Sequence, residues 1–406
     1  MMDARTPTLP ASATALAATR FRILLYSHDT FGLGHLRRTK TIAAALTEAF
    51  PAASALILTG SPVAGRFAFP ERVDHVRLPG VTKLEDGSYS SQALGIDIDE
   101  TTALRAGIIA AAAARFDPDL VIVDKEPTGF RGEMLETLDR LRRAGRARIV
   151  LGLRDVLDAP EAVATEWARK GAVEAAGLYD EIWVYGDRRV FDPTADIGLP
   201  PATRLRTHWT GYLRREGAGP DEPGASYVLV TPGGGGDGAA LVDQVLAAYE
   251  GDAAGRLPDA QIVYGPFLAG ERRAALEARV ARLAPRVRAV GFESRMEALM
   301  QGALGVVAMG GYNTFCEILS FDKPAVIVPR ARPRLEQTIR AERAAVLGLV
   351  RMLDPARAAN PAAMAAAIAG LATQAPPSAA KFDGLLDGLP RIVARTMALM
   401  QSRAAA

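Results

Sequence analysis

An α/β fold of two Rossmann-like domains with parallel sheets is what this 406-residue sequence predicts. Three observations predict it. Short apolar runs alternate with helical patterns from residue 21 onward, as in a parallel sheet covered on both faces. The alternation breaks at a charged, Gly- and Pro-containing stretch, RREGAGPDEPGA, and restarts at Tyr227. Each half then opens with a glycine turn between a strand and a helix, at Gly32-Leu33-Gly34-His35 and at Gly233 to Gly238.

Residues 1–20 are rich in Ala, Thr and Pro and read as a disordered leader, without the apolar core of a secretory signal. The N-terminal domain spans 21–213. Its first strand is 21–26, and the helix after the glycine turn carries Leu36, Thr39, Ala43 and Leu46 on one face. Strands 55–58, 73–78, 120–123, 149–153 and 181–185 follow, with helices such as 131–143 and 161–175 between them. The alanine-rich run 106–114 is also helical. The polar stretch between Pro79 and Glu100 reads as a long loop, part of an acceptor site or a lid.

Residues 214–225 form the linker. The C-terminal domain spans 226–385, with strands 227–230, 261–264, 287–290, 303–309 and 325–328, a helix over 314–321 and another starting near Glu336. Residues 386–406 form a last helix, with an apolar pattern over 392–400.

A formal net charge of +2 implies no strong nucleic-acid field, and nucleic acid is not an expected partner. Cys316 is the sole cysteine, so it forms no internal disulfide and reads as a small buried residue. No apolar run approaches the ~20 residues of a membrane span. The expected location is the cytoplasm, with a peripheral membrane contact left open.

Gly310-Gly311-Tyr312-Asn313 turns between a strand and a helix. Paired glycines let backbone approach a ligand, and the helix start offers free N–H groups to an anion such as a diphosphate. Glu317, about one turn further on, is placed to accept hydrogen bonds from two sugar hydroxyls, although Thr314-x-x-Glu317 equally fits a capping box. Gly233, Gly235 and Gly238 satisfy G-x-G-x-x-G, but the next strand ends Val263-Tyr264-Gly265 without the acidic residue of a dinucleotide site. What remains at Gly233, Gly234 and Gly235 is an anion-cradling turn or a plain tight one.

His35 opens the first helix. A helix N-terminus disfavours imidazolium, so a neutral ring there can take a proton from a hydroxyl, or merely cap the helix. Asp124 and Glu126 follow one strand and Arg154-Asp155 the next. Strand-end charges in a parallel sheet point toward the cleft, where each serves as a base, an acceptor clamp or a structural ion pair such as Lys125–Glu126. Asp97-Ile98-Asp99 has metal-pair spacing but no preceding buried strand, and no metal or cofactor is expected.

Gly310-Gly311-Tyr312-Asn313-Thr314 with Glu317, then Pro324, Pro329 and Glu336-Gln337, resembles the donor-binding segment of the MurG-like, family 28 glycosyltransferases. Gly32-Leu33-Gly34-His35 resembles their first glycine–histidine turn. The resemblance implies the GT-B architecture, two facing Rossmann-like domains with the last helix crossing back to the first. It also implies a UDP-sugar donor, Gly310, Gly311, Asn313 and Thr314 on the diphosphate, Glu317 on ribose, and Glu336 and Gln337 on the sugar.

Phe292 and Met296 would bracket the nucleobase, or else pack in the core with Leu299 and Met300. Arg330, Arg332 and Arg334 would assist the diphosphate or lie in solvent. Gly32, Gly34, Arg154 and Asp155 fall to the acceptor, a glycan, lipid-linked or small molecule. His35, Asp124 or Glu126 would serve as base in an inverting transfer. A serine-rich turn and a Gln-Gln pair in MurG stand where this chain has Tyr312-Asn313 and Glu336-Gln337. Rival readings are a UDP-sugar 2-epimerase of the same architecture and a nucleotide-sugar-binding protein without turnover.

Overall fold

The computed structural model describes residues 20–28, 34–84, 88–217, 226–233, 238–265, 268, 270–293 and 295–404. Nearly all of the leader, residues 218–225 of the linker, Gly32, Gly234 and Gly235 lie outside them. The N-terminal half runs β1 (Arg22–Ser27), α1 (Gly34–Ala49), β2 (Ser54–Thr59), β3 (Val73–Arg77), a hairpin of β4 (Val81–Lys83) and β5 (Tyr89–Ser91), and α2 (Ile98–Phe116). It continues with β6 (Leu120–Asp124), α3 (Leu135–Ala144), β7 (Arg148–Arg154), α4 (Pro160–Arg169), β8 (Glu181–Tyr185) and β9 (Thr207–Trp209).

Seven of these strands form one sheet in the order β3-β2-β1-β6-β7-β8-β9, and every pairing in it is parallel. Helices cover both faces, so β6 and β8 are buried along their whole length.

The C-terminal half repeats the plan. It runs β10 (Tyr227–Thr231), α5 (Ala239–Glu250), β11 (Asp259–Val263), α6 (Gly270–Leu283), β12 (Val287–Val290), α7 (Met296–Gly302), β13 (Ala303–Ala308) and α8 (Tyr312–Ser320). After these come β14 (Ala325–Ile327), α9 (Glu336–Val346), β15 (Arg351–Met352), α10 (Pro361–Ala369) and α11 (Gly388–Ala404). Its six-stranded parallel sheet has the order β12-β11-β10-β13-β14-β15.

The strand order reverses between β1 and β6 in one sheet and between β10 and β13 in the other. Crevices at such reversals, beyond the carboxyl ends of the strands, are where open parallel sheets take ligands. His35 and Asp124 flank the first reversal, and Gly233 and Gly310 follow β10 and β13 at the second. Helix α11 packs on α1 and β7 of the N-terminal domain, Arg395 pairs with Glu181, and Leu213 bridges Asp387.

Several elements differ from the sequence reading. The loop between Pro79 and Glu100 contains the β4–β5 hairpin and the start of α2. Asp97 caps α2, accepting from the Glu100 N–H at 2.8 Å, and Asp99 pairs with Arg131, so both carboxylates have structural partners. The helix read over 131–143 begins only at Leu135, because Gly129, Arg131 and Gly132 take positive φ angles of 71°, 49° and 89°. The helix read over 161–175 stops at Arg169, ahead of Gly171 at φ 61°.

Helix α8 starts at Tyr312 with Gly311 as its cap and no side-chain capping bond, which removes the Thr314–Glu317 capping box. Strands β9 and β15 are three and two residues long, too short to leave a pattern. No helix among the described residues is long and apolar enough to cross a membrane.

Candidate active site

The two reversals face each other across one cleft. From the N-terminal side, α1 presents His35, Arg37 and Arg38 within its first turn and a half. His35 Nδ1 lies 2.5 Å from Asp124 Oδ2, and Arg38 donates to both oxygens of the same carboxylate, from Nε at 2.9 Å and Nη2 at 2.7 Å. Arg38 Nη2 also lies 2.9 Å from Nδ1, but it has Asp124 to donate to. The carboxylate oxygen, closer at 2.5 Å, only accepts, so Nδ1 carries the proton and the lone pair sits on Nε2. Burial pushes His35 down to about 4, and Asp124 pulls it back only in part because Arg38 already engages that carboxylate. His35 is therefore neutral at pH 7. Burial alone would raise Asp124, but Arg38 and then His35 outweigh it and hold the carboxyl well below the usual range. His28 packs edge-on to His35 with ring centroids 5.7 Å apart.

Glu126 does not join this group. It is buried, accepts from Lys170 Nζ at 2.9 Å and lies 3.5 Å from Lys125. That is the ion-pair alternative, and it leaves His35 as the base candidate beside Asp124. Asp155 is also corrected. It has no exposed surface, and its oxygens take Arg340 Nη2 at 2.6 Å, Arg340 Nε at 2.7 Å, the Tyr212 hydroxyl at 2.9 Å and the Val156 N–H at 2.8 Å. A fully engaged, buried carboxylate joins the two domains and offers nothing to an acceptor here. Arg154 stands free of any ion pair among the described residues and donates to the Leu157 carbonyl at 3.2 Å. Gly34 opens α1, its carbonyl accepting from Asn313 Nδ2 at 3.1 Å.

From the C-terminal side, the β13 turn needs glycine twice, for different reasons. Gly310 has φ 79°, and a Cβ there would stand 2.7 Å from Ile327 Cγ2. A Cβ on Gly311 would meet nothing within 4 Å, so the start of α8 is open to a ligand. Arg340 Nη1 donates to the Gly310 carbonyl at 2.9 Å and fixes the turn. Asn313 bridges the domains through its bond to the Gly34 carbonyl, and its Oδ1 accepts from Arg215 Nη2 of the linker at 2.8 Å. Thr314 is buried in the first turn of α8.

Glu317 is 1% exposed and accepts from Arg37, which also holds Glu297 at 2.9 Å. Glu336 Oε1 accepts from Arg330 Nη2 at 3.1 Å, whereas its buried Oε2 has no partner among the described residues. Gln337 Oε1 accepts from the Arg330 N–H at 3.2 Å. Gly233 has φ 97° with open space where a Cβ would be.

The two base-bracketing candidates separate. Phe292 is 40% exposed and outside any helix, while Met296 begins α7 and packs against the core. Cys316 is buried, which pushes its thiol up to about 11.

The residues that sequence reasoning missed are arginines. Arg37 and Arg38 follow His35 on the first helix, and Arg38, three residues on, shares its face. Arg340, four residues after Glu336, shares the face of that candidate in the same way.

Residues 228–382 match the glycosyltransferase family 28 C-terminal domain. Over nearly its whole length the chain has the fold of a kitacinnamycin glycotransferase, with 17% identity, a TM-score of 0.60 and 95% and 99% of the two chains covered. MurG of Acinetobacter baumannii is similar at 14% identity and a TM-score of 0.54, covering 95% of this chain and 100% of that one. A UGT transferase from Siraitia grosvenorii, solved with UDP, is similar at 12% identity and a TM-score of 0.62, with 93% and 99% covered. No curated protein sequence matches. The two facing parallel-sheet domains are the GT-B fold.

Proposed function

We propose, from a C-terminal domain that is a family 28 glycosyltransferase domain in a GT-B transferase, that this chain moves a sugar from a UDP-sugar to an acceptor hydroxyl with inversion. The pairing of His35 with Asp124 supports this most directly. It supplies a neutral base on the N-terminal side of the cleft, opposite an open helix start on the C-terminal side. His35 Nε2 takes the acceptor proton. The freed oxygen attacks the anomeric carbon from the face opposite the diphosphate, and the carbon–oxygen bond to the diphosphate breaks. Asp124 holds the Nδ1–H tautomer and stabilises the imidazolium that forms. The charge developing on the departing diphosphate meets the N–H groups of Asn313 and Thr314 at the start of α8. Glu317 takes the ribose hydroxyls, and Glu336 Oε2, unpartnered among the described residues, accepts from a sugar hydroxyl.

Donor nucleotides are bound in two similar folds, UDP in the Siraitia transferase and dTDP in the glycosyltransferase VinC. Calorimetric titration of UDP, dTDP, GDP and ADP against the wild type and Glu317→Ala tests the donor. UDP binding that weakens at least tenfold in the variant is expected. Nucleotide binding that ignores Glu317 rejects the donor site, and conversion of a UDP-sugar to its 2-epimer without acceptor makes the enzyme an epimerase.

A further inference from the structure

We propose that the cleft contains a second anion site, built by Lys125, Arg154 and Arg334, and that it receives a phosphate or carboxylate carried by the acceptor. This rests on the glycosyl-transfer reading above and specifies the substrate class on its acceptor side.

The site is assembled from three places. Lys125 follows β6 and Arg154 ends β7, its neighbour in the sheet, and the Lys125 N–H donates to the Gly152 carbonyl at 2.7 Å. Lys125 is held at φ 70°, a left-handed conformation that a non-glycine residue adopts only at a cost. Strain of this kind collects where a side chain must be aimed. Arg334 arrives from the C-terminal domain. Its loop is pinned by the Leu335 N–H donating to Asp158 Oδ1 at 2.7 Å, so Arg334 reaches this side only across the closed cleft.

The carboxylates here are too few and mostly engaged. Lys170 takes Glu126 at 2.9 Å and Glu166 at 2.6 Å. Lys125 is left with Glu126 at 3.5 Å, and Arg334 with Glu166 at 3.5 Å and Asp158 at 3.9 Å. Among the described residues Arg154 makes no ion pair and its buried Nε meets no acceptor; the carboxylate that acts on it most is Glu336, which Arg330 already holds at 3.1 Å. The mutual effects agree. Burial pushes Lys125 down to about 8, with Arg334 and Arg154 adding to it against Glu126. Burial likewise lowers Arg154, with Arg340, Arg38 and Arg334 adding to it against Glu336. Like charges gathered in a partly dry cleft are unfavourable until an anion joins them.

The position separates this site from the donor diphosphate. Lys125 contributes to the fields at His35 and His28, on the acceptor side, whereas the open start of α8 belongs to the other domain. Tyr89 of the β4–β5 hairpin feels Lys170 and Arg334, so the segment read from sequence as an acceptor lid borders the same pocket. An acceptor with its anion on Lys125, Arg154 and Arg334 would present a nearby hydroxyl to His35.

The test titrates inorganic phosphate, and separately acetate, into the full-length protein at constant ionic strength, with and without saturating UDP. Wild type, Lys125→Met, Arg154→Met and the surface control Arg140→Met are compared. Phosphate binding that persists with UDP bound, weakens at least tenfold in Lys125→Met and Arg154→Met, and is unchanged in Arg140→Met is expected. Stronger phosphate than acetate binding assigns a phosphate-bearing acceptor, and the reverse a carboxylate. UDP affinity in the variants equal to wild type shows that they are folded. Phosphate binding abolished by UDP, or equal in all four proteins, overturns the proposal. Failure of UDP to bind the wild type while phosphate still depends on Arg154 leaves an anion site but removes its role for a transferase acceptor.

Discussion

Arg37 of the N-terminal domain donates to the buried carboxylate of Glu317 in the C-terminal domain, closing the cleft over the residue assigned to ribose. Ribose hydroxyls compete with this guanidinium for Glu317, and Glu297, already bonded to it, can retain its charge. UDP binding therefore exchanges one charge-assisted hydrogen bond for two from hydroxyls. Removing Arg37 leaves Glu317 waiting for donors. Arg37→Met is expected to bind UDP several-fold more tightly at pH 8, whereas Glu317→Ala binds it at least tenfold more weakly. Titration calorimetry on the two variants decides, and weaker binding in Arg37→Met would instead put Arg37 on the nucleotide.

The His35 environment fixes a pH dependence. Its folded value of about 4 lies below the ordinary 6.5. Between these values the unfolded chain takes up a proton that folded His35 refuses. Its contribution to stability is thus complete above 6.5 and lost as pH falls toward 4. The base form persists over the same window, so the acid limb of kcat/KM, which reports the free enzyme, is expected near pH 4, not near 6.5. Asp124→Asn removes the charge that raises His35, so it cannot shift the limb upward. It is expected to lower kcat on the order of 10²–10⁴-fold. An acid limb near 6.5 would remove His35 as the base.

Asp155 and Arg340 form the buried ion pair that joins the domains, 0% and 1% exposed. Breaking such a pair strands a charge, at about 3–5 kcal/mol, while replacing both partners with apolar residues is far milder. Arg340→Met also frees the Gly310 carbonyl. Urea unfolding is expected to show a large loss for Arg340→Met or Asp155→Leu alone and a partial recovery in the double variant. Strictly additive losses would show that the two do not act as a pair.

The parallel sheets were legible because strands buried on both faces are continuous apolar runs, as in residues 120–123 and 181–185. The glycine turns were legible because strand, glycine and helix succeed one another locally. The partners of the site were not. Arg37 meets Glu317 across 280 positions and Arg340 meets Asp155 across 185. Nothing local marks which arginine of an arginine-rich chain crosses a cleft. For the same reason Asp155 read as a cleft-facing charge for the acceptor, when Arg340, Tyr212 and the Val156 N–H enclose it.

Gly310 and Gly311 separate folding from binding at adjacent positions. An alanine at 310 would need φ 79° and a Cβ 2.7 Å from Ile327 Cγ2, so both backbone and packing oppose it. Gly310→Ala is expected to lose more than about 1 kcal/mol of stability, the left-handed cost alone. Gly311 has φ −58° and ψ 152°, ordinary for any residue, and open space at its Cβ position. Gly311→Ala should therefore lose only the modest preference of an N-cap for glycine over alanine, less than Gly310→Ala loses. Its methyl group would stand at the open start of α8, where a diphosphate must come close to the backbone. UDP affinity is expected to fall at least tenfold in Gly311→Ala, with a smaller loss of stability than in Gly310→Ala. If its affinity is unchanged, the diphosphate does not sit on this turn, and the glycine at 311 answers to no ligand.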